Sequence, residues 1–176
     1  MKTLIILIAT ASAVLAQWPK AKSPAIPEAD GYVEIPNVAL PPTKDSKYQA
    51  IFDATRPAEK ATQLVPALNM AGSELNALGA VNAPLSNAKF VVVFHGPAVA
   101  GILDNAHYKA KFGIDNPNLK TIGEMKKHGV EFFVCGQYLA GEKIDPKTLT
   151  GDVTVAADAL LVLMQYQNKG YALMSF

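Results

Sequence analysis

The sequence predicts a three-layer α/β/α sandwich built on a mainly parallel sheet of about five strands. Three observations predict it. Apolar runs alternate with amphipathic stretches all the way from Lys47 to Phe176. The run Phe90-Val91-Val92-Val93-Phe94 is apolar without a break, as strands buried on both faces are in parallel sheets. The prolines that would interrupt such an alternation are concentrated upstream: Pro19, Pro24, Pro27, Pro36, Pro41 and Pro42, half of the chain's twelve, fall between Gln17 and Ser46.

Taken in order, Tyr48 to Ala54 is the first strand, ended by Thr55-Arg56-Pro57. Leu64, Leu68, Ala71, Leu75 and Leu78 recur at spacings of four and three, the apolar stripe of a helix with Pro66 near its first turn. Lys89 to Phe94 is the second strand, and a short helical stretch with Val99, Ile102 and Leu103 follows His95-Gly96-Pro97. Asn116-Pro117 starts a further helix with Leu119, Ile122 and Met125 inward. Lys126, Lys127 and His128 suit the negative end of its dipole, and Gly129 supplies a left-handed cap. Val130 to Val134 is the third strand, and Cys135-Gly136-Gln137 ends it. A loop through Gly141 and Pro146 leads to a fourth strand at Val153 to Val155. The helix Ala156 to Lys169 has Ala156, Leu160, Leu163 and Met164 inward, and Tyr171 to Phe176 is a fifth strand. The alternation implies right-handed crossovers, while the strand order is open.

Two segments precede this domain. Lys2, an apolar run from Leu4 to Leu15 and the ending Val14-Leu15-Ala16 have the form of an export signal over residues 1–16, with Gln17 as the mature start. The run is shorter than the roughly 20 residues of a spanning helix, and no cysteine follows it to take a lipid. The expected product is exported, periplasmic or secreted, without a membrane span. Residues 17–46 read as an extended proline-rich linker or arm, because proline fixes φ and removes a backbone donor. Trp18, Ile26, Tyr32, Val33 and Ile35 give it apolar spots that could rest on its own domain or on a neighbouring subunit.

A net charge of +1 over 176 residues argues against nucleic acid or an anionic membrane as partner. The sequence has no dinucleotide-binding or phosphate-binding glycine pattern and no G-x-S-x-G elbow, so no cofactor is expected. His95, His107 and His128 are scattered without ligand spacing, and no metal is expected. Asp104 and His107 stand at i, i+3 and read as a surface contact.

The chemistry that remains centres on Cys135, the only cysteine. It cannot form an internal disulfide, so it is a buried small hydrophobe, a link to another chain or a free reactive thiol. In open α/β sheets ligands gather outside the carboxyl ends of the strands. Asp53, His95 and Cys135 each fall at such an end. Singly, each has a plain structural reading: a turn or cap aspartate, a hydrogen-bonding histidine and a packed cysteine. Together on one rim they suggest a reactive thiol, with His95 as an orienting or acid/base group and Asp53 as a weaker candidate. Gly136 removes bulk beside the sulfur, and the thiol is expected to be accessible and readily ionised. Without a Cys-x-x-Cys pair, one chain can carry a persulfide or mixed disulfide but cannot resolve it internally.

Five blocks occur in order: Phe52-Asp53-Ala54-Thr55, Val91 to Ala98 with its His95-Gly96-Pro97, Asn116 to Leu119, Gly129 to Gln137 with its Val134-Cys135-Gly136-Gln137, and Gly170-Tyr171-Ala172. Over residues 47–176 they resemble the DsrE/DsrF-like family of sulfur-relay proteins, in its exported branch. The resemblance implies a small α/β sandwich in a homo- or hetero-oligomer, commonly a trimer or hexamer. It implies that Cys135 accepts sulfur as a persulfide and exchanges it with a protein donor or acceptor. It assigns no role to His95, and the proline-rich arm lies outside the family's core. Three readings follow: a sulfur carrier or sulfurtransferase-like protein, a non-catalytic small-ligand-binding or assembly module, and a thiol redox sensor.

Overall fold

The protein is described by a computed structural model covering residues 18–176. The export signal expected over residues 1–16 lies outside the described residues. The strands are β1 (Tyr48–Ala54), β2 (Ala88–Phe94), β3 (Glu131–Cys135), β4 (Thr154–Ala156) and β5 (Ala172–Ser175). The helices are α1 (Pro66–Ala80), α2 (Asn105–Phe112), α3 (Asn118–Lys127), α4 (Gly136–Gly141) and α5 (Ala159–Asn168). The five strands form one parallel sheet in the order β4-β3-β2-β1-β5.

That order follows from handedness. From β1 to β4 the chain steps one strand at a time in one direction, so right-handed crossovers keep its helices on one face. There Leu68, Leu75, Ile122, Met125 and Leu139 join Phe52, Phe90 and Phe132 in the larger core. The last connection runs the other way across the whole sheet, from β4 to β5, which sends α5 to the opposite face. Ala159, Val162, Leu163 and Tyr166 of α5 meet Ile51, Val91, Val93 and Cys135 there. The Tyr166 hydroxyl donates to Glu131 at 3.0 Å, and burial together with that carboxylate pushes the phenol up to about 12. The result is three layers, helix on sheet on helix.

Two local expectations are corrected. The segment after Cys135 is helix α4, where the sequence reads as a loop. Helix α5 starts at Ala159, because the Asp158 side chain accepts from the Leu160 amide at 2.6 Å and caps it. With that start, Leu160 and Met164 point outward, 59% and 52% exposed. The stretch Ala159-Leu160-Leu161-Val162-Leu163-Met164 is apolar all round, so periodicity alone does not set its phase. Elsewhere the left-handed cap stands at Gly129 with φ +84°, and the Asp104 carboxylate accepts from both the amide and the ring Nδ1 of His107 at 2.8 Å.

The proline-rich segment lies in a groove of its own domain. Asn69, Gly72, Asn76 and Gly79 share one face of α1, beside the face that meets the sheet. A Cβ on Gly72 would stand 2.5 Å from that of Ala29, and one on Gly79 would be 2.9 Å from Pro24, so the two glycines let the segment lie against the helix. Between them Asn76, fully buried, accepts from the amides of Ala25 and Ile26 at 3.0 and 2.8 Å. It donates to the carbonyls of Ile26 and Asp30, both at 3.0 Å. Ile26 is fully buried, whereas Trp18 and Ile35 are exposed.

Candidate functional site at the carboxyl rim of the sheet

Side chains alternate between the faces of a strand, so residues 51 and 53, 91, 93 and 95, and 133 and 135 project to the α5 side. Ile51, Val91, Val93 and Cys135 do so as one apolar cluster. Asp53, His95 and Cys135 therefore share a face as well as a rim. β2 holds its pairing one residue past its end, since the His95 amide donates to the Ala54 carbonyl at 3.1 Å. Gly96, at φ +60°, then turns the chain away into a 3-10 segment, Gly96–Ile102. Phe94 pairs with Val134, so the next position of the register sets His95 beside Cys135 on the adjacent strand.

His95 and Asp53 are joined: Nε2 lies 2.6 Å from Oδ1, and the side chains are 25% and 14% exposed. Nδ1 of His95 has no partner among the described residues. An imidazole held by a carboxylate is oriented and keeps one nitrogen free for proton exchange.

Cys135 differs from expectation. It is the last residue of β3 and is buried, 6% exposed. Its Sγ accepts the Tyr138 amide at 3.4 Å and so caps α4. The space beside Gly136 is occupied: a Cβ there would lie 2.7 Å from the Ala156 carbonyl oxygen and 3.3 Å from that of Ala157. The missing side chain thus admits the chain's own β4–α5 turn. Ala156, the β4 partner of Cys135, packs with α5 against the cluster that holds the sulfur.

Three contributors are not evident in the sequence. The Tyr138 amide reaches the sulfur only because α4 forms, and burial followed by the charge of Glu142 raises the Tyr138 phenol. Thr55 donates through both its amide and its hydroxyl to the Phe176 carbonyl, at 3.3 and 3.0 Å, tying the end of β1 to β5. The third, the β4–α5 turn, comes from a distant part of the chain. Among the described residues no group of three or more His, Cys, Asp or Glu side chains is placed to hold a metal, and no helix is long and apolar enough to cross a membrane.

The fold recurs in solved structures. A protein of unknown function, MTH1491, from Methanobacterium thermoautotrophicum is similar at 17% identity and a TM-score of 0.53, over 74% of this chain and 100% of that one. The ychN protein from E. coli is similar at 16% identity and a TM-score of 0.53, over 73% of this chain and 99% of that one. No curated protein matches in sequence. The sequence profile of the DsrE/DsrF-like family matches residues 47–176, from the start of the sheet through Asp53, His95 and Cys135 to β5. The chain belongs to the DsrE/DsrF-like family.

Proposed function

We propose that this protein is an exported sulfur carrier, sulfurtransferase-like in its chemistry, that accepts sulfane sulfur on Cys135. Family membership points to sulfur relay in general. The observation that carries the finer reading is the Asp53–His95 pair, joined at 2.6 Å on the rim and face that Cys135 shares. In the proposed step the Cys135 thiolate attacks the terminal sulfur of a donor persulfide. The donor's S–S bond breaks, a new one forms at Sγ, and the donor leaves as a thiolate. His95, oriented by Asp53, takes the thiol proton and returns one to the leaving sulfur. Since Cys135 is buried in a cluster with α5, loading requires that packing to open around the sulfur.

The decisive measurement uses protein purified from its native compartment, whose intact mass also reports removal of residues 1–16. Incubation with a sulfane donor is expected to add one reducible sulfur to the peptide containing Cys135, and Cys135→Ser is expected to abolish the gain. No gain, with slow alkylation of the native thiol, would sink the carrier reading. It would favour a second one, a non-catalytic ligand-binding or assembly module, which the 6% exposure of Cys135 and its capping of α4 support.

Assembly belongs to the same proposal. Leu160, Leu161 and Met164 of α5 and Val155 of β4 are 48–59% exposed, an apolar surface beside the Cys135 face. We propose that it is covered in a homo-oligomer, a trimer or hexamer, with a protein as sulfur donor or acceptor. Light scattering is expected to show the oligomer for the wild type and a smaller species for Leu161→Glu combined with Met164→Glu. A monodisperse wild-type monomer would refute it.

A further inference from the structure

The face of the sheet opposite Cys135 carries a cavity of about 470 Å³, within the roughly 300–1,000 Å³ usual for small-molecule sites. Its origin lies in the strand order. β5 is an edge strand whose four residues are all exposed. The proline-rich segment borders the space through Tyr32 and Pro42, with Leu40 at its rim. The floor is aromatic: Phe52 meets Phe90 edge-on at 5.2 Å and stacks on Phe176 at 6.1 Å. Met70 of α1 and Met174 of β5 line it with adaptable side chains.

Two features of this cavity have no structural use. Leu40 is 97% exposed at its rim, on backbone with φ +56°, a region leucine rarely adopts. Glu74 is the one charged side chain among the lining residues, and it makes no hydrogen bond or ion pair among the described residues. Exposed on its outer side, its carboxyl is still desolvated enough by the apolar walls for its pKa to be raised. An apolar chamber with a lone carboxylate at its edge complements a molecule with an apolar body and a cationic end, and it opposes an anionic one.

We propose that this cavity is a binding site for a small amphiphilic amine, its apolar body on the Phe52–Phe90–Phe176 floor and its ammonium at Glu74. The site is separate from the sulfur chemistry, and either can fail without the other. The test is calorimetric titration of the protein with decylamine, decanol and decanoate, each below its aggregation threshold. Decylamine is expected to bind with single-site stoichiometry, about tenfold or more tighter than decanoate. Glu74→Gln is expected to remove the preference of decylamine over decanol. Ala172→Phe fills the cavity from an exposed position and is expected to abolish binding, with far-UV circular dichroism confirming its fold. In the unaltered protein, the methionine methyl signals of Met70 and Met174 are expected to shift on titration, which locates the ligand independently of any variant. Absence of decylamine binding, equal affinity for decanoate, or binding that leaves both methyl signals unmoved would overturn the proposal.

Discussion

Alanine at Asn76 is expected to lower the unfolding free energy by about 3–5 kcal/mol and to release residues 24–30 from α1. The side chain is fully buried and satisfies two amides and two carbonyls of the proline-rich segment. Alanine leaves the amides of Ala25 and Ile26 and the Asp30 carbonyl without that partner, while the Ile26 carbonyl keeps the Ala29 amide at 3.2 Å. Each buried unpaired group costs on the order of 1–3 kcal/mol. The chain escapes part of that cost by letting the segment go, at the expense of exposing Ile26 and the Gly72–Gly79 groove. Urea unfolding gives the energy. Native-state hydrogen exchange at the Ile26 amide, and trypsin cleavage after Lys22, give the release. A loss below about 1 kcal/mol with unchanged protection would show that the segment is held by its apolar contacts alone.

Under the proposed chemistry, Asp53→Asn and His95→Ala are each expected to slow single-turnover sulfur loading of Cys135 by about 100-fold, the usual worth of a positioned acid/base group. Both variants keep Cys135, so the final extent of loading should match the wild type. Because the three residues act as a unit, the double variant should be little slower than either single one. Unchanged rates in both single variants would reduce the pair to a structural tie between β1 and β2.

How far the sequence revealed the fold depends on what each element needed. β1 is bounded in the structure as its sequence reads, and β2 and β3 shift by one residue, since continuous apolar runs ended by glycine or proline leave few choices. Strand order, by contrast, is a property of whole-chain packing and is written in no local pattern. α4 was obscure because Cys135 is an unusual cap and six residues hold no full period. The stripe of Asn69, Gly72, Asn76 and Gly79 was in plain view, yet two glycines and two asparagines read as poor helix formers before they read as a groove. For the site, the rim positions of Asp53, His95 and Cys135 were legible, because strand ends are. The burial of Cys135 was not, since the residues packed in its cluster, Ala156 and those of α5, come from some twenty or more positions away.

The long passage of α5 across the sheet sets a condition on how this chain reaches its native state. The hydroxyl of Thr55 meets the carbonyl of Phe176 across 121 positions of sequence, and β5 can take its place only beside a β1 that is already formed. Contacts of such separation slow folding, because loop closure is unfavourable until the pairing that offsets it is complete. Until then one edge of β1 presents unpaired amides and carbonyls beside Ile51 and Phe52, an adhesive border for another unfinished copy. The β1–β2–β3 segment can assemble step by step from near neighbours, so the slow event is the arrival of β5. Damage to that last strand, even without touching Asp53, His95 or Cys135, would therefore act on yield and aggregation before it acts on chemistry.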